Sequence, residues 1–176
     1  MKVILISGKA EHGKDTAALA LKSILETKGK KVLIARYGGL VKYTCETFFD
    51  WDGKKNEKGR GLLQEVGTDG IREQYPDFWV DYVAKIIRIF HHKWDYVLIP
   101  DCRFPNEIDY YKADSWWNWT TLRINRPNFK SILTEEQLSH ISETALDNYE
   151  FDYYIKAESG IDNVKDEVEK IIDSLL

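Results

Sequence analysis

A glycine-spaced loop that ends in lysine follows the first apolar run of the chain, Val3–Ile6. Gly8, Gly13 and Lys14 keep the spacing Gly-x-x-x-x-Gly-Lys. Glycines at these two positions let the backbone wrap a chain of phosphates with its own N–H groups, because a Cβ there would obstruct the turn or the ligand. Lys14 can then reach the terminal phosphates, and the N-terminus of the following helix adds donors and a favourable dipole. The motif therefore predicts a nucleotide-binding phosphate loop.

Asp15 and Thr16 follow the lysine, whereas the common form of this loop has Ser or Thr directly after it as a magnesium ligand. A carboxylate can replace that ligand, because Mg²⁺ keeps several waters and is often anchored by only one or two carboxylates and the substrate phosphates. A chance glycine pair in a turn is the alternative, and the apolar run before the loop and the helical pattern after it argue against that. The predicted nucleotide-binding residues are Gly8, His12, Gly13, Lys14, Asp15 and Thr16.

A second carboxylate, Asp101, closes the apolar run Tyr96–Pro100. In a protein with a phosphate loop, an acidic residue at the end of such a strand lies beside the loop, where it can hold Mg²⁺ or its water shell. Capping of the next turn is the alternative role for this residue. Arg103 follows two residues later and either projects into the same cleft or fixes Asp101 through a salt bridge. We predict Asp15 and Asp101 as the metal ligands.

Arginines are the other residues that could do chemistry here, because phosphoryl transfer needs positive charge around the moving group more than covalent help from the protein. Arg72 lies between two predicted helices, and Arg123 and Arg126 flank the end of the fourth predicted strand. Each could instead be a solvated surface residue. Their positions near strand ends, where phosphates are expected, favour Arg72 and Arg126. The predicted catalytic set is Lys14, Arg72, Arg126 and Asp101.

Aromatic residues make up 13% of the chain and are densest at Trp116–Trp119. We expect that cluster to lie in a helix or turn that packs on the sheet. Phe78 and Trp79 follow Arg72 closely and are better candidates for contact with a substrate base, although core packing is an equal alternative. The segment His140–Glu143 has two open roles, a cap that anchors a lid and a direct substrate contact.

Apolar runs of strand length alternate with helical patterns along the whole chain. After the first run, the predicted strands are Val32–Ala35, Trp94–Pro100, Thr120–Ile124 and Tyr153–Ala157. Helical patterns follow the phosphate loop, run over 40–51 and 60–66, begin again at Pro76 and at Ile161, and are broken at Gly67–Gly70. The alternation predicts an α/β fold, a three-layer α/β/α sandwich with a five-stranded parallel sheet and right-handed crossovers. Ligands are expected at the carboxyl ends of the strands.

Composition narrows the classes of protein further. A chain of 176 residues with 43% hydrophobic content fits one compact domain. The net charge of −4 argues against a protein that binds nucleic acid nonspecifically, although a local basic cleft stays open. The apolar runs are shorter than a membrane span, and there is no signal-peptide pattern. We therefore expect a soluble cytoplasmic protein in which Cys45 and Cys102 are free thiols.

Together these residues resemble the phage-type deoxynucleoside monophosphate kinases, a P-loop kinase family related to adenylate kinase and phosphomevalonate kinase. Four motifs carry the likeness, occur in order and span most of the chain: Gly8–Thr16, Leu62–Asp69 with Arg72 and Asp77-x-Trp79, Asp101-x-Arg103-Phe104-x-Asn106-Glu107, and His140-x-Ser142-Glu143.

The resemblance implies transfer of the γ-phosphate of ATP to the 5′-phosphate of a deoxynucleoside monophosphate, with Mg²⁺ as cofactor. Lys14 would follow the transferring group, Thr16 would help to hold the α- and β-phosphates, and Asp15 and Asp101 would anchor the metal. The implied acceptor-binding residues are Arg36, Gln64, Arg72, Asp77, Trp79 and Arg103. The implied layout is a single P-loop kinase domain over 1–176, with a core of 1–36, 93–125 and 150–176, an acceptor-binding insertion at about 37–92, and a lid region at about 126–143.

Two alternatives stay open. The first is a kinase of another small phosphorylated metabolite or of a modified nucleotide. The second is a P-loop nucleotide-binding regulatory module that does not transfer phosphate, for which Trp116–Trp119 would be the partner surface. Small-molecule nucleotides are the expected partners, with no stable nucleic-acid binding, no membrane and an open choice between monomer and homodimer. Phage origin, which only the resemblance suggests, would place the protein in the host cytoplasm.

Overall fold

A computed structural model describes residues 1–127, 129–131, 133–157 and 161–175. Two predicted segments include positions outside the described residues: the lid contains 128 and 132, and the C-terminal part of the core contains 158–160 and 176. Five parallel strands form one sheet in the order β2-β3-β1-β4-β5. The strands are β1 Lys2–Ser7, β2 Val32–Ile34, β3 Tyr96–Cys102, β4 Asn118–Asn125 and β5 Tyr153–Lys156. The predicted five-stranded parallel α/β sheet is confirmed.

The helices between the strands are α1 Lys14–Thr27, α2 Tyr37–Phe48, α3 Glu57–Gln64, α4 Ile71–Gln74, α5 Phe78–Ile89, α6 Pro105–Lys112, α7 Glu135–Ser139, α8 Ile141–Thr144 and α9 Ile161–Leu175. A π-helical segment, Glu65–Gly70, joins α3 to α4. Within the described part of the chain, no helix is both long and apolar enough to cross a membrane.

The central strands are apolar along their length because both faces of a parallel sheet are covered. In β1 every residue from Val3 to Ser7 is buried, and in β3 the first five residues are buried. On one face, α1 and α9 share a core with side chains from the sheet. Ala17, Leu21 and Val168 are fully buried there. This packing places the carboxyl ends of β1, β3 and β4 side by side, with the phosphate loop directly after β1.

The chain divides into two compact units. Unit 1 comprises Met1–Ala35 and Phe90–Leu176 and contains the sheet; unit 2 comprises Arg36–Ile89 and is helical. In unit 2, Trp79 is 1% exposed, and its indole N–H donates to the Gly67 carbonyl at 2.9 Å. Cys45 and Cys102 are both buried free thiols.

The predicted break at Gly67–Gly70 is wrong, because the backbone continues there as the π-helical segment between α3 and α4. Glycine lowers helix propensity without forbidding a helix, and tertiary packing can outweigh the cost. A Cβ on Gly67 would lie only 3.0 Å from a Val41 methyl, so the small residue allows a close approach to α2. The π-helical segment thus follows from packing, which the sequence pattern does not reveal.

Other boundaries also differ from the predictions, among them those of α2, which spans Tyr37–Phe48 rather than 40–51, and of β3, which spans Tyr96–Cys102 rather than Trp94–Pro100. Helix α3 begins at Glu57, three residues early, because the Asn56 side chain accepts a hydrogen bond from the Gly59 N–H at 2.8 Å and caps the helix. Strand β4 begins at Asn118, so Trp119 lies in the strand rather than in a helix or turn. Trp117 is buried and packs edge-on against Tyr111 at 4.9 Å. The cluster is therefore partly a core feature of unit 1.

Candidate active site

The two glycines of the phosphate loop have different structural roles. Gly8 has φ +154°, and a Cβ there would lie 2.6 Å from the Ile124 carbonyl oxygen, so β4 passes too close for any side chain. Gly13 has φ +90° and is the N-cap of α1. Because glycine has no side-chain oxygen, it cannot cap the first turn of the helix by itself. The first-turn N–H groups of α1 are thus suited to an anion at the helix N-terminus.

Lys14 is buried in the phosphate loop, with 8% of its surface exposed. Its Nζ donates to the Lys9 carbonyl at 2.6 Å, so the side chain folds back over the loop. Burial, followed by the nearby Arg103 charge, lowers the pKa of Lys14 from 10.5 to about 7, although Glu143 and Asp15 oppose the shift. The free loop therefore holds a lysine that is only partly charged near neutral pH, at the position where phosphates would restore its proton.

This lowered pKa predicts proton uptake when a nucleotide binds. At pH 8 Lys14 is mostly neutral in the free protein, and a bound polyphosphate favours the charged form, so binding takes up nearly a full proton. At pH 6 the lysine is already charged and little uptake is expected. Calorimetric titration with ADP in buffers of different ionisation enthalpy measures the difference, and equal uptake at both pH values would contradict it.

The same shift has a defined effect on stability. Between about pH 7 and 10.5 the unfolded chain keeps a proton at Lys14 that the folded chain has lost. The free energy of unfolding of the unliganded protein therefore rises with pH across this window through Lys14, and this contribution is flat below it. A Lys14→Met variant should lack this dependence in urea unfolding measured at pH 7 and pH 9.

Arg103 is fixed at both its ends. Its backbone N–H donates to Glu107 Oε2 at 2.6 Å, inside the capping box of α6. Its guanidinium donates to the Ser142 carbonyl at 2.9 Å and to Glu143 Oε1. The second oxygen of Glu143 accepts a hydrogen bond from the Ala10 N–H of the phosphate loop at 2.8 Å. The arginine and the loop are therefore joined through one carboxylate.

Arg123 belongs to a second chain of contacts at the same loop. It is 7% exposed, and its guanidinium donates to Ser7 Oγ at 2.9 Å and to Asp147 Oδ1 at 3.0 Å. The other oxygen of Asp147 accepts from Lys9 Nζ at 2.9 Å. Sequence reasoning noted Arg123 but missed Ser7 and Asp147. One feature of the sequence pointed to such partners: Arg123 lies between the apolar residues Leu122 and Ile124 of a strand expected to be buried. A buried charge needs partners.

Arg126 lies on the other side of the loop, with His12. Its backbone N–H donates to His12 Nδ1 at 3.2 Å, and its guanidinium donates to the Glu11 carbonyl at 3.4 Å. One face of the guanidinium lies over Phe129, 4.3 Å from the ring centre. Burial and the Lys14 charge lower the pKa of His12, which favours the neutral ring that accepts this hydrogen bond. Glu11 has φ +62°, a left-handed conformation within the loop.

A cavity of about 550 Å³ opens beside this group. Its walls come from the loop, the end of β4, β5 and α9: His12, Asn125, Arg126, Pro127, Tyr154, Ile155, Lys156 and Glu167. The lining combines rings, aliphatic surface and a few polar groups, which is the usual character of a pocket for a flat organic ligand.

Asp101 is the next-to-last residue of β3, and its neighbour Cys102 pairs with Ser7 at the end of β1. Asp15 lies in the first turn of α1 and is exposed. Among the described residues no group of three or more His, Cys, Asp or Glu could hold a metal ion unaided. The donor set here is carboxylate only, which suits Mg²⁺ bound by one or two carboxylates together with substrate phosphates.

Thr16 is the third residue of α1, and the remaining predicted residues belong to unit 2. Arg36 is the extended N-cap of α2, Gln64 ends α3, and Asp77 directly precedes α5. Arg72 Nη1 donates to the Pro76 carbonyl at 3.3 Å. The Trp79 ring lies in the core of the unit, so a direct contact with a nucleotide base would require it to leave that core.

Comparisons with known proteins show the family and the fold of this chain. A model of the deoxynucleotide monophosphate kinase family matches residues 42–168. APS kinase CysC from Mycobacterium tuberculosis, in complex with AMPPNP and APS, has a TM-score of 0.55 at 12% identity, over 99% of this chain and 96% of that chain. Shikimate kinase from Aquifex aeolicus has a TM-score of 0.50 at 16% identity over the same shares. A sugar kinase from Janibacter sp. has a TM-score of 0.52 at 10% identity, over 98% and 94%.

These identities are low, so the structural likeness shows a shared fold alone. No curated protein matches the sequence significantly.

Proposed function

The chain belongs to the deoxynucleotide monophosphate kinase family, and we propose that it transfers the γ-phosphate of ATP to the 5′-phosphate of a deoxynucleoside monophosphate. Membership makes it a nucleoside monophosphate kinase; the donor and the acceptor are the parts we propose. The observation that carries the proposal is the position of Arg103, held beside the phosphate loop by Glu143 and close enough to Lys14 to lower its pKa.

The transfer requires little covalent chemistry from the protein. An oxygen of the acceptor phosphate attacks the γ-phosphorus, the bond to the β–γ bridging oxygen breaks, and ADP leaves. Charge spreads over the oxygens of the moving group, and positive groups fixed around it lower the barrier. We assign Lys14 and Arg103 to this task, with the loop N–H groups and Thr16 on the α- and β-phosphates.

We place the donor base in the cavity beside Arg126. The free face of that guanidinium can stack on an adenine ring, and the phosphates then lead directly to the loop. Arg126 therefore serves the donor base in this proposal, rather than the catalytic set in which the sequence alone placed it. Asn125 and Lys156 line the same cavity and could contact polar atoms of the nucleoside.

Asp15 and Asp101 would hold Mg²⁺, directly or through water. The ion would neutralise charge on the β- and γ-phosphates. On the acceptor side we propose Arg72 for the 5′-phosphate, with Arg36, Gln64 and Asp77 for the rest of the nucleotide. Trp79 supports this unit from its core.

A coupled ADP-release assay across the four common deoxynucleoside monophosphates tests the proposal. We expect acceptor-dependent turnover with at least one of them, and much less with the same nucleoside lacking its phosphate. Modified deoxynucleotides and other small phosphorylated metabolites form the comparison set. If turnover occurs only with a modified deoxynucleotide, the acceptor is not a common one; if it occurs only with another metabolite, the deoxynucleotide assignment is wrong.

A bisubstrate compound separates a kinase from a nucleotide-binding module. Adenosine and a deoxynucleoside linked through five phosphates should bind far more tightly than ATP, because it occupies both sites and resembles the transition state. A regulatory module that binds ATP alone should show no gain. Competition calorimetry against ATP measures the ratio, and equal affinity for the two compounds would exclude the two-substrate site.

A further inference from the structure

The motif His140-x-Ser142-Glu143 has a local structure that explains its spacing. Helix α8 is a single turn, and the His140 side chain caps it: Nδ1 accepts from the Ser142 N–H at 3.2 Å and lies 2.8 Å from Ser142 Oγ. The Glu143 N–H donates to the His140 carbonyl at 2.8 Å. The capped turn presents the Ser142 carbonyl and the Glu143 carboxylate together, and both accept hydrogen bonds from Arg103.

Glu143 itself is strongly buried, with 7% of its side chain exposed. One carboxylate oxygen accepts from Arg103 and the other from the Ala10 N–H, so both oxygens are engaged with donors. A carboxylate in this state is poorly suited to accept a proton from a substrate or to bind a metal. Its position instead joins two parts of the candidate phosphate site.

The Arg103 backbone is fixed independently by Glu107, which is 2% exposed and accepts from the N–H groups of Arg103 at 2.6 Å and Phe104 at 3.1 Å. The guanidinium would still be free to rotate without Ser142 and Glu143. Two motifs distant in sequence thus fix one arginine, the first through its backbone and the second through its side chain.

We propose that Glu143 is a positioning residue for phosphoryl transfer, which aligns the Arg103 guanidinium with the Ala10 N–H of the phosphate loop. The proposal rests on the proposed function and adds a residue that does not touch the substrate. Preorganised cations cost no reorganisation when the transition state forms, and misplacement of a reacting group by about 1 Å can lower a rate roughly a hundredfold.

Glu143→Gln is the most informative substitution because it keeps the size of the side chain. The amide has one acceptor oxygen and one donor NH₂ group. Its oxygen can accept from Arg103 or from Ala10, and its NH₂ group then faces the N–H donor of the other residue. It also removes a negative charge near the bound phosphates. We expect kcat to fall about tenfold to a hundredfold, while the affinity for ATP stays the same or increases. Thermal unfolding of the same preparation distinguishes this from a loss of folded protein, which would lower the fraction of the protein that unfolds cooperatively.

A double-variant cycle tests whether Glu143 acts through Arg103. Arg103→Lys keeps the charge but loses the forked donors, and Glu143→Gln combined with Arg103→Lys should lose little more kcat than either single change. Asp173→Asn is the matched control, because Asp173 forms an exposed ion pair with Lys28 away from the loop. Strictly additive losses in the cycle would contradict the positioning role. An increase in kcat in Glu143→Gln would show that Glu143 competes with the phosphates instead.

A measurement that needs no catalytic turnover tests the positioning role of Glu143 separately from the proposed kinase activity. In ¹⁵N-labelled protein the Arg103 Nε–H should give a sharp, protected signal that is lost in Glu143→Gln and kept in Asp173→Asn. If that signal is unchanged in Glu143→Gln, Glu143 does not hold the arginine and the inference is wrong, whatever the assay shows. If the wild-type protein turns over no acceptor, the proposed function fails, and the role in transfer fails with it even where the signal behaves as expected.

Discussion

Replacing Lys14 with methionine is expected to lower kcat/KM for phosphoryl transfer by at least about a thousandfold. Lys14 is buried in the phosphate loop, and this burial lowers its pKa to about 7, which disfavours its charge. Bound phosphates reverse that preference, so the ammonium becomes charged where negative charge moves between donor and acceptor. Methionine is one atom shorter, keeps most of the apolar stem of the side chain, and removes the ammonium group with its charge and its hydrogen bond to the Lys9 carbonyl. The measurement is steady-state ADP release at saturating ATP and a series of acceptor concentrations, which gives kcat/KM for the acceptor.

The matched control is Lys22→Met, which removes an exposed lysine from the same helix, α1. Lys22 pairs with Glu26 at 3.6 Å, a surface contact whose loss should cost well under about 1 kcal/mol of stability. Its turnover should match that of the wild-type protein. The Lys14→Met protein should remain folded, because it buries an apolar group where the wild type buries a desolvated amine. Turnover that survives in folded Lys14→Met would remove this lysine from the mechanism.

Gly8→Ala is expected to abolish nucleotide binding and to destabilise the protein by about 2–4 kcal/mol, because overpacking and backbone strain each cost of order 1–3 kcal/mol. The added Cβ would lie 2.6 Å from the Ile124 carbonyl oxygen, and a backbone atom of a central strand cannot move aside cheaply. Either β4 shifts or the loop changes course. For a chain of this size the melting temperature should fall by roughly 5–15 °C, and ADP should no longer raise it.

Gly39→Ala tests whether a methyl group added at another glycine would also destabilise the protein and abolish nucleotide binding. Gly39 lies in α2, and a Cβ there meets no atom within 4 Å. Since alanine also favours a helix over glycine by about 1 kcal/mol, this variant should be as stable as the wild type or more so. Normal ADP binding by Gly8→Ala would show that the loop tolerates a side chain at its first glycine, against the steric argument.

The phosphate loop and the sheet could be predicted from the sequence because local patterns determine them. A buried parallel strand is apolar on both faces. A loop that wraps phosphate needs glycine at fixed spacing, so Gly8, Gly13 and Lys14 are enough to predict the phosphate site. The alternation of five such strands with helical patterns leads to the parallel sheet that the structure contains. Asp101 could be placed beside the loop for the same reason, since parallel strands end at one edge.

The contacts around the loop could not be predicted, because they join residues far apart in the sequence. Arg103 and Glu143 are 40 residues apart, and Arg123 and Ser7 are 116 apart. Nothing in the local pattern of an arginine tells whether it faces solvent or a buried carboxylate. Packing also decided the burial of Trp79, which was one of the two roles left open for it, and the π-helical segment that contains Gly67, where a break was expected.

The sequence by itself determined the phosphate-loop motif at the end of β1 and the place of the chain among the P-loop kinases, since glycine spacing, strand pattern and motif order are properties of the linear chain. Only the tertiary structure decided which charges surround that phosphate site. The sequence left Glu143 as either part of a cap or a substrate contact, and in the structure its carboxylate joins Arg103 to the Ala10 N–H. Arg126 lines a cavity, which its sequence position did not reveal. The interaction energy of two charges depends on the distance between them in space, and the fold sets that distance.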